Sequence, residues 1–110
     1  MAELEEASGE FEIEDLQPFL ERVVALVSSG FGDAEVASIV ALAQSMAVDD
    51  EKVVDFSIQY GGEKTTLRLD VFMDDLDLPT VYFFAPPELA AQIMAEMREY
   101  QEEIEASEGE

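Results

Sequence analysis

The chain has 110 residues, of which 27 are Asp or Glu, 5 are Lys or Arg and none is His or Cys, so its formal charge at pH 7 is −22. The lack of Cys excludes disulfides, thiolate metal sites and thiol nucleophiles, and the lack of His excludes Ser-His and Cys-His catalytic pairs. Because 48% of the residues are hydrophobic, the chain can still form a core, and its length predicts one domain.

The negative charge is concentrated towards both ends of the sequence. Residues 1–15 contain seven acids and no base, and residues 96–110 contain seven acids and one base. The 80 residues between them carry a net charge of −9. Segments 1–10 and 105–110 combine Glu with Gly and Ser and have few apolar residues. We therefore predict two acidic disordered tails on either side of a single domain at 11–104.

Two amphipathic helices are predicted in the first half of the domain. The first begins after Asp15, is about 14 residues long and ends before Gly30. Its apolar residues recur at spacings of three and four, at Leu16, Phe19, Leu20, Val23, Val24 and Val27. The second begins after Asp33 and carries one charge, Glu35, in its interior. We expect this helix to be largely buried or to contact a partner, because a surface helix normally has a charged face.

The apolar pattern then changes to a period of two, which predicts strands. Two alternating stretches, 54–60 and 65–73, flank the turn residues Gly61-Gly62 and predict an antiparallel hairpin. A third strand, 80–85, is apolar on both faces, which suggests that both faces are covered. Pro87 suits the first turn of a long C-terminal helix. The apolar face of this helix comprises Leu89, Ile93, Met97, Tyr100 and Ile104.

The order of these elements predicts an α+β fold. Two N-terminal helices and a long C-terminal helix are expected to pack on one face of a three-stranded antiparallel β-meander. A three-stranded sheet has two edges that need protection. The doubly apolar third strand and Phe72, which we expect to be exposed on the second strand, suggest a homodimer formed through the sheet.

The sequence predicts no catalytic, cofactor-binding or metal site. Asp74, Asp75 and Asp77 form an acidic loop, but its spacing lacks the central Gly and distal Glu of an EF-hand. No Lys-Ser/Thr pair follows Gly61-Gly62 at the spacing of a phosphate-binding loop. Two carboxylates could in principle act as general acid and general base. No pair of acids in this sequence, however, lies in the apolar sequence context that such a pair needs. We therefore expect a protein that is not an enzyme and that uses no cofactor.

The charge also indicates which partners are expected. Direct binding of nucleic acid and of anionic membranes is disfavoured, because both surfaces are negative. The N-terminal residues do not resemble a signal peptide, and no apolar stretch approaches the ~18 residues that span a bilayer, so a cytoplasmic location is expected. A basic protein is the favoured partner, because an acidic surface attracts and orients cationic proteins.

Three functions remain open at this point. The favoured one is an inhibitor, immunity or antagonist protein that binds a basic protein and presents carboxylates where a nucleic acid presents phosphates. The second is an acidic dimeric chaperone or adaptor for a secreted or assembling protein, and the third is an acidic cytoplasmic domain of a halophile without a dedicated basic partner. The residues predicted to contact a partner are Asp49, Asp50, Glu51, Asp55, Asp70, Asp74, Asp75, Asp77, Tyr82 and Phe84.

Overall fold

The computed structural model describes residues 4–108, which form three helices and a four-stranded antiparallel sheet. In chain order the elements are β1 (Glu5–Glu10), α1 (Leu16–Val24), α2 (Asp33–Ser45), β2 (Glu51–Tyr60), β3 (Glu63–Phe72), β4 (Thr80–Ala85) and α3 (Pro87–Glu108). The strand order across the sheet is β1-β4-β3-β2. The predicted α+β class and the antiparallel sheet are confirmed.

The prediction of three strands is wrong, because the segment assigned to an N-terminal tail contributes β1. In the pairing of β1 with β4, Ala7 lies opposite Phe83 and is buried. The other side chains of β1 are short or acidic and lie half-buried or exposed, so the strand shows no apolar alternation. Backbone pairing with β4, rather than burial of its own side chains, holds this strand in the sheet.

The C-terminal helix is longer than predicted. α3 has 22 residues and continues to Glu108, so residues 105–108 are helical although they were assigned to a tail. The Glu and Ala residues that dominate this end are strong helix formers, which explains the extension. The remaining parts of the two predicted tails, 1–3 and 109–110, lie outside the described residues.

The first helix is shorter than the predicted length of about 14 residues, because the chain after Val24 turns towards the sheet. The Ser28 N–H donates a hydrogen bond to the Gln59 carbonyl at 2.8 Å, and the Gln59 N–H donates to the Ser29 carbonyl at 3.0 Å. Gly30 follows with a φ of 93°. This loop therefore pairs with the outer edge of β2 at its C-terminal end.

One face of the sheet packs against the helices and forms the core. Its buried side chains are Ala7, Ile58, Leu67, Leu69, Val71, Val81, Phe83 and Ala85. From the helical layer, the Phe19 ring meets the Phe83 ring edge to face at 5.9 Å, and the Phe31 ring meets the Phe56 ring at 5.1 Å. Among residues 4–108, no helix has the length and apolarity that a membrane crossing requires.

Polar contacts connect the second half of α3 to α1 and to Asp15, which immediately precedes α1. The Tyr100 hydroxyl donates a hydrogen bond to Asp15 at 3.0 Å, and the Arg22 guanidinium lies 4.9 Å from the centre of the Tyr100 ring. Arg22 also binds the Glu103 carboxylate at 2.7 Å. Burial and the hydrogen bond to Asp15 raise the pKa of Tyr100 to about 12. The ring thus remains neutral and keeps its proton for this bond.

Candidate functional site

The sheet face opposite the core, which we call the open face, collects most of the sheet's polar and aromatic side chains. Because alternate residues of a strand point to opposite sides, the strand register fixes which side chains share this face. Three rows cross all four strands from β1 to β2: Glu6, Phe84, Arg68 and Asp55; then Ser8, Tyr82, Asp70 and Val53; then Glu10, Thr80, Phe72 and Glu51. Beyond them, Thr66 lies opposite Ser57 and Lys64 lies opposite Gln59 on the same face.

The open face has an aromatic centre and acidic margins. Tyr82 and Phe84 of β4 and Phe72 of β3 lie on the two middle strands and are half-buried. The carboxylates of Glu6 and Glu10 on β1, and of Glu51 and Asp55 on β2, lie on the outer strands and are exposed. The doubly apolar β4 was expected to be covered on both faces, but helices cover only the face that carries Phe83.

The open face carries two cations, of which Lys64 lies at its far end opposite Gln59 and Arg68 is already paired. The Arg68 guanidinium donates two hydrogen bonds to the Asp55 carboxylate, at 2.7 and 3.2 Å. The bond to Arg68 lowers the pKa of Asp55. Since Arg68 is matched by Asp55, the remaining carboxylates of the face give it a net negative charge.

Asp70 occupies the middle of the open face, between Tyr82 and Val53 on the neighbouring strands. Its Oδ1 atom is inaccessible to solvent and has no hydrogen-bond partner. Burial, together with the nearby Glu51 carboxyl, raises the pKa of Asp70 to about 6. The centre of the face therefore holds a carboxylate that is poorly solvated in the free protein.

We expect the Asp70→Asn variant to be more stable than the wild type at pH 7 by about 1–2 kcal/mol. The folded state raises the pKa from 3.8 to about 6, so ionised Asp70 costs stability. This cost is absent below about pH 4 and grows as the pH rises through about 6. One pKa unit corresponds to about 1.4 kcal/mol, and solvent screening reduces the effect. Urea unfolding between pH 4 and pH 7 measures it.

The exposed loop variant Asp74→Asn is the matched control, because it removes the same charge away from the sheet. We expect its effect on the free energy of unfolding to be small. An Asp70→Asn variant that gained as much stability at pH 4 as at pH 7 would contradict the assignment of a raised pKa to Asp70.

A second acidic feature, which we call the acidic end, lies where β1 and β3 finish and β2 and β4 begin. The Asp49 N–H donates to the Met73 carbonyl at 2.7 Å, and the Ile13 N–H donates to the Asp77 carbonyl at 3.0 Å, so three loops lie side by side. These loops contain no Lys or Arg in residues 10–15, 49–51 and 74–77. Their acids are Glu10, Glu12, Glu14, Asp15, Asp49, Asp50, Glu51, Asp74, Asp75 and Asp77.

No protein-family model, curated protein or solved structure matches this chain. The open face and the acidic end are the surfaces that bear on function. Within residues 4–108, no three carboxylates converge closely enough to hold a metal ion.

The structure divides the predicted contact residues between these two surfaces. Asp55, Asp70, Tyr82 and Phe84 lie on the open face, and Glu51 belongs to both surfaces. The other five, all in loops, belong to the acidic end: Asp49, Asp50, Asp74, Asp75 and Asp77.

Sequence reasoning missed the contribution of β1 to both surfaces. Glu6 and Glu10 form one margin of the open face only because β1 pairs with β4. The alternation of Glu6, Ser8 and Glu10 with Ala7 and Gly9 was the available signal. It is weak, because Ala and Gly are poor indicators of a buried strand face.

Proposed function

We propose that this protein is not an enzyme and that it binds a basic protein, in the manner of an inhibitor, immunity protein or antagonist. One observation supports this proposal most directly. The half-buried rings of Tyr82 and Phe84 lie between two margins of exposed carboxylates, on the sheet face opposite the helices. Aromatic anchors surrounded by a polar rim are the arrangement that dominates binding energy in protein interfaces.

The acidic end extends the negative surface beyond the open face. Carboxylates on neighbouring loops repel one another unless a cation lies between them, and residues 10–15, 49–51 and 74–77 supply no cation. A partner that brings Lys or Arg relieves this repulsion, and the field of the acidic end speeds its approach. A groove that normally holds nucleic-acid phosphates has the required charge.

We expect the double variant Tyr82→Ser/Phe84→Ser to bind the basic partner at least about 30-fold more weakly than the wild type. Buried aromatic anchors contribute about 2 kcal/mol or more to an interface, which corresponds to this factor. The partner is captured on the immobilised protein from extract of the source cells at low salt, and the affinity of the purified pair is then measured. Capture of one dominant basic protein at one-to-one stoichiometry is the expected result.

Salt and matched charge variants test the electrostatic part of the proposal. Glu6→Gln/Glu10→Gln/Glu51→Gln removes three carboxylates from the open face and should slow association about tenfold. The control removes three exposed carboxylates elsewhere, at Glu21, Glu63 and Glu99. Binding should weaken between about 0.15 M and 1 M salt, where the Debye length falls from about 8 Å to about 3 Å. Equal losses in both triple variants, or salt-independent binding, would refute a specific role for the open face.

A chaperone or adaptor function is the second candidate, and the aromatic centre of the open face favours it. A chaperone holds an unfolded or partly assembled client, whereas an inhibitor holds a folded protein. The captured basic protein distinguishes the two functions, because hydrogen exchange of its amides shows whether it is folded in the complex. A halophilic protein without a dedicated partner is expected to spread its acids evenly over the surface. The concentration of acids at one end of the sheet does not favour this third function.

A further inference from the structure

β1 is an edge strand with backbone groups that point away from the sheet. The Phe11 N–H donates to the Pro79 carbonyl at 3.1 Å, in register with the β1–β4 pairing. Residues of an antiparallel strand alternate between bonding their neighbour and pointing outward. Ala7 and Gly9 therefore bond to β4, whereas the N–H and C=O groups of Glu6, Ser8 and Glu10 point outward. No backbone hydrogen bond from residues 4–108 reaches these outward groups.

The opposite edge of the sheet is less accessible to a basic strand. At β2, the outward groups of Gln59 are already bonded to Ser28 and Ser29. The Asp55 carboxylate already forms an ion pair with Arg68, and Lys52 adds a positive charge to this strand. β1 has no such cover and no base between Glu5 and Glu10. Charge therefore distinguishes the two edges.

A groove beside β1 offers an apolar floor on the helical side of the edge. It has a volume of about 390 Å³ and lies between the strand and α3, whose Arg98, Glu102 and Glu105 line its outer wall beside the methionines. Met97 reaches under Gly9, where a side chain would come within 3.1 Å of its sulfur atom, and the neighbouring Met94 is 40% exposed. Methionine side chains adapt to differently shaped apolar partners. The groove can therefore receive apolar side chains from a strand that lies beside β1.

We propose that the edge of β1 binds an extended segment of the basic partner as a fifth strand, and that this segment alternates basic and apolar residues. This inference rests on the proposed function and names the element that the partner contributes. Main-chain hydrogen bonds to Glu6, Ser8 and Glu10 hold the added strand. Its residues on the open face lie beside the carboxylates of Glu6 and Glu10, so these residues are Lys or Arg. Its other residues point towards Met94 and Met97.

Charge disfavours a second copy of this chain at this edge in the register centred on Ser8. A symmetric antiparallel pairing of two β1 strands about Ser8 places Glu6 directly opposite Glu10 of the other copy, twice. Like charges directly opposite one another on a sheet are destabilising. A basic segment instead places positive side chains opposite Glu6 and Glu10, so both contacts become attractive.

The probe is an octapeptide of alternating lysine and valine, titrated into the full chain at about 0.15 M salt. NMR-detected hydrogen exchange should show new protection of the Glu6, Ser8 and Glu10 amides. A peptide with the same eight residues arranged as a lysine block and a valine block controls for charge alone. It should bind at least about tenfold more weakly, because its side chains cannot match both faces of the edge.

Backbone methylation of the peptide separates strand addition from charge attraction. The peptide residues that share the open face with Glu6 and Glu10 are the lysines, and their amides face β1. N-methylation of the lysine amides should weaken binding at least about tenfold through loss of hydrogen bonds. N-methylation of the valine amides, which point to solvent, should change it by less than about twofold. Equal effects of the two modifications, or protection at Val53 and Asp55 instead, would overturn the inference.

A variant of the protein separates this inference from the proposed function. Ser8→Pro removes one outward N–H, which an edge strand tolerates, and Ser8→Ala is its control. If Ser8→Pro abolishes peptide binding and weakens capture of the basic partner, both proposals are supported. If the partner still binds through Tyr82 and Phe84 while Ser8→Pro has no effect, strand addition is wrong and the proposed function stands. If the peptide binds β1 but no basic partner is captured, the proposed function is wrong.

Discussion

Replacing Gly30 with alanine is expected to destabilise the protein by at least about 3 kcal/mol. Gly30 has a φ of 93°, which a residue with a side chain adopts only under strain. A Cβ atom there would also overlap the Ser57 carbonyl oxygen and approach the Ile58 Cα atom to 2.7 Å. Because both obstacles are backbone atoms, β2 or the loop must move. Urea unfolding followed by circular dichroism measures the loss.

Gly62→Ala is the matched control for this prediction. Gly62 also has a positive φ, of 81°, but nothing lies within 4 Å of the position of its Cβ atom. Only the conformational strain remains, and it should cost about 1 kcal/mol. If Gly30→Ala were as mild as Gly62→Ala, the close approach of the 28–30 loop to β2 would be wrong.

Truncating Phe83 to alanine is expected to cost about 3–5 kcal/mol, the usual range for a buried Phe in a core. Phe83 is fully buried and contacts the Phe19 ring between the sheet and α1. Domains of this size are stable by about 5–15 kcal/mol, so the variant should lose a large share of its stability. Denaturant midpoints at constant slope give the free-energy change.

Phe84→Ala makes the same chemical change one residue further along β4, on the other face of the sheet. Because Phe84 lies half-buried on the open face, we expect its truncation to cost less than about 1.5 kcal/mol. A loss as large as that of Phe83→Ala would mean that the open face contributes to the core. The small expected loss is what allows variants of Phe84 to be used as tests of binding.

Sequence periodicity predicted the elements that bury their own apolar side chains. The β2–β3 hairpin shows the alternation of its buried residues, such as Leu67 and Leu69, and its turn at Gly61 and Gly62 has the positive φ values that the pair of glycines indicates. The core faces of α1 and β4 could likewise be predicted, because Phe19 follows the spacing of apolar residues in a helix and Phe83 follows the alternation of a strand.

The elements that sequence reasoning missed depend on contacts that are distant along the chain. Ala7 is buried only because β4 brings Phe83 beside it, and the local alternation in residues 5–10 is too weak to mark them as a strand. The end of α1 was placed too late because Ser28 and Ser29 leave the helical path to bond Gln59. The loop acids and the aromatic centre of the candidate site could be predicted from residue type, whereas the margin formed by Glu6 and Glu10 required the strand register.

The strand order also determines when β1 can form during folding. Glu10 pairs with Thr80 and Glu5 with Ala85, so residues 11–79 of the chain lie between the two paired strands. Local pairs such as the β2–β3 hairpin close a short loop and form early, whereas pairs so far apart must wait for loop closure over a long segment. Until then, β4 is itself an edge strand with aromatic side chains on both faces. An intermediate that lacks β1 would therefore expose an aromatic edge to other chains, and pairing with the acidic β1 covers that edge.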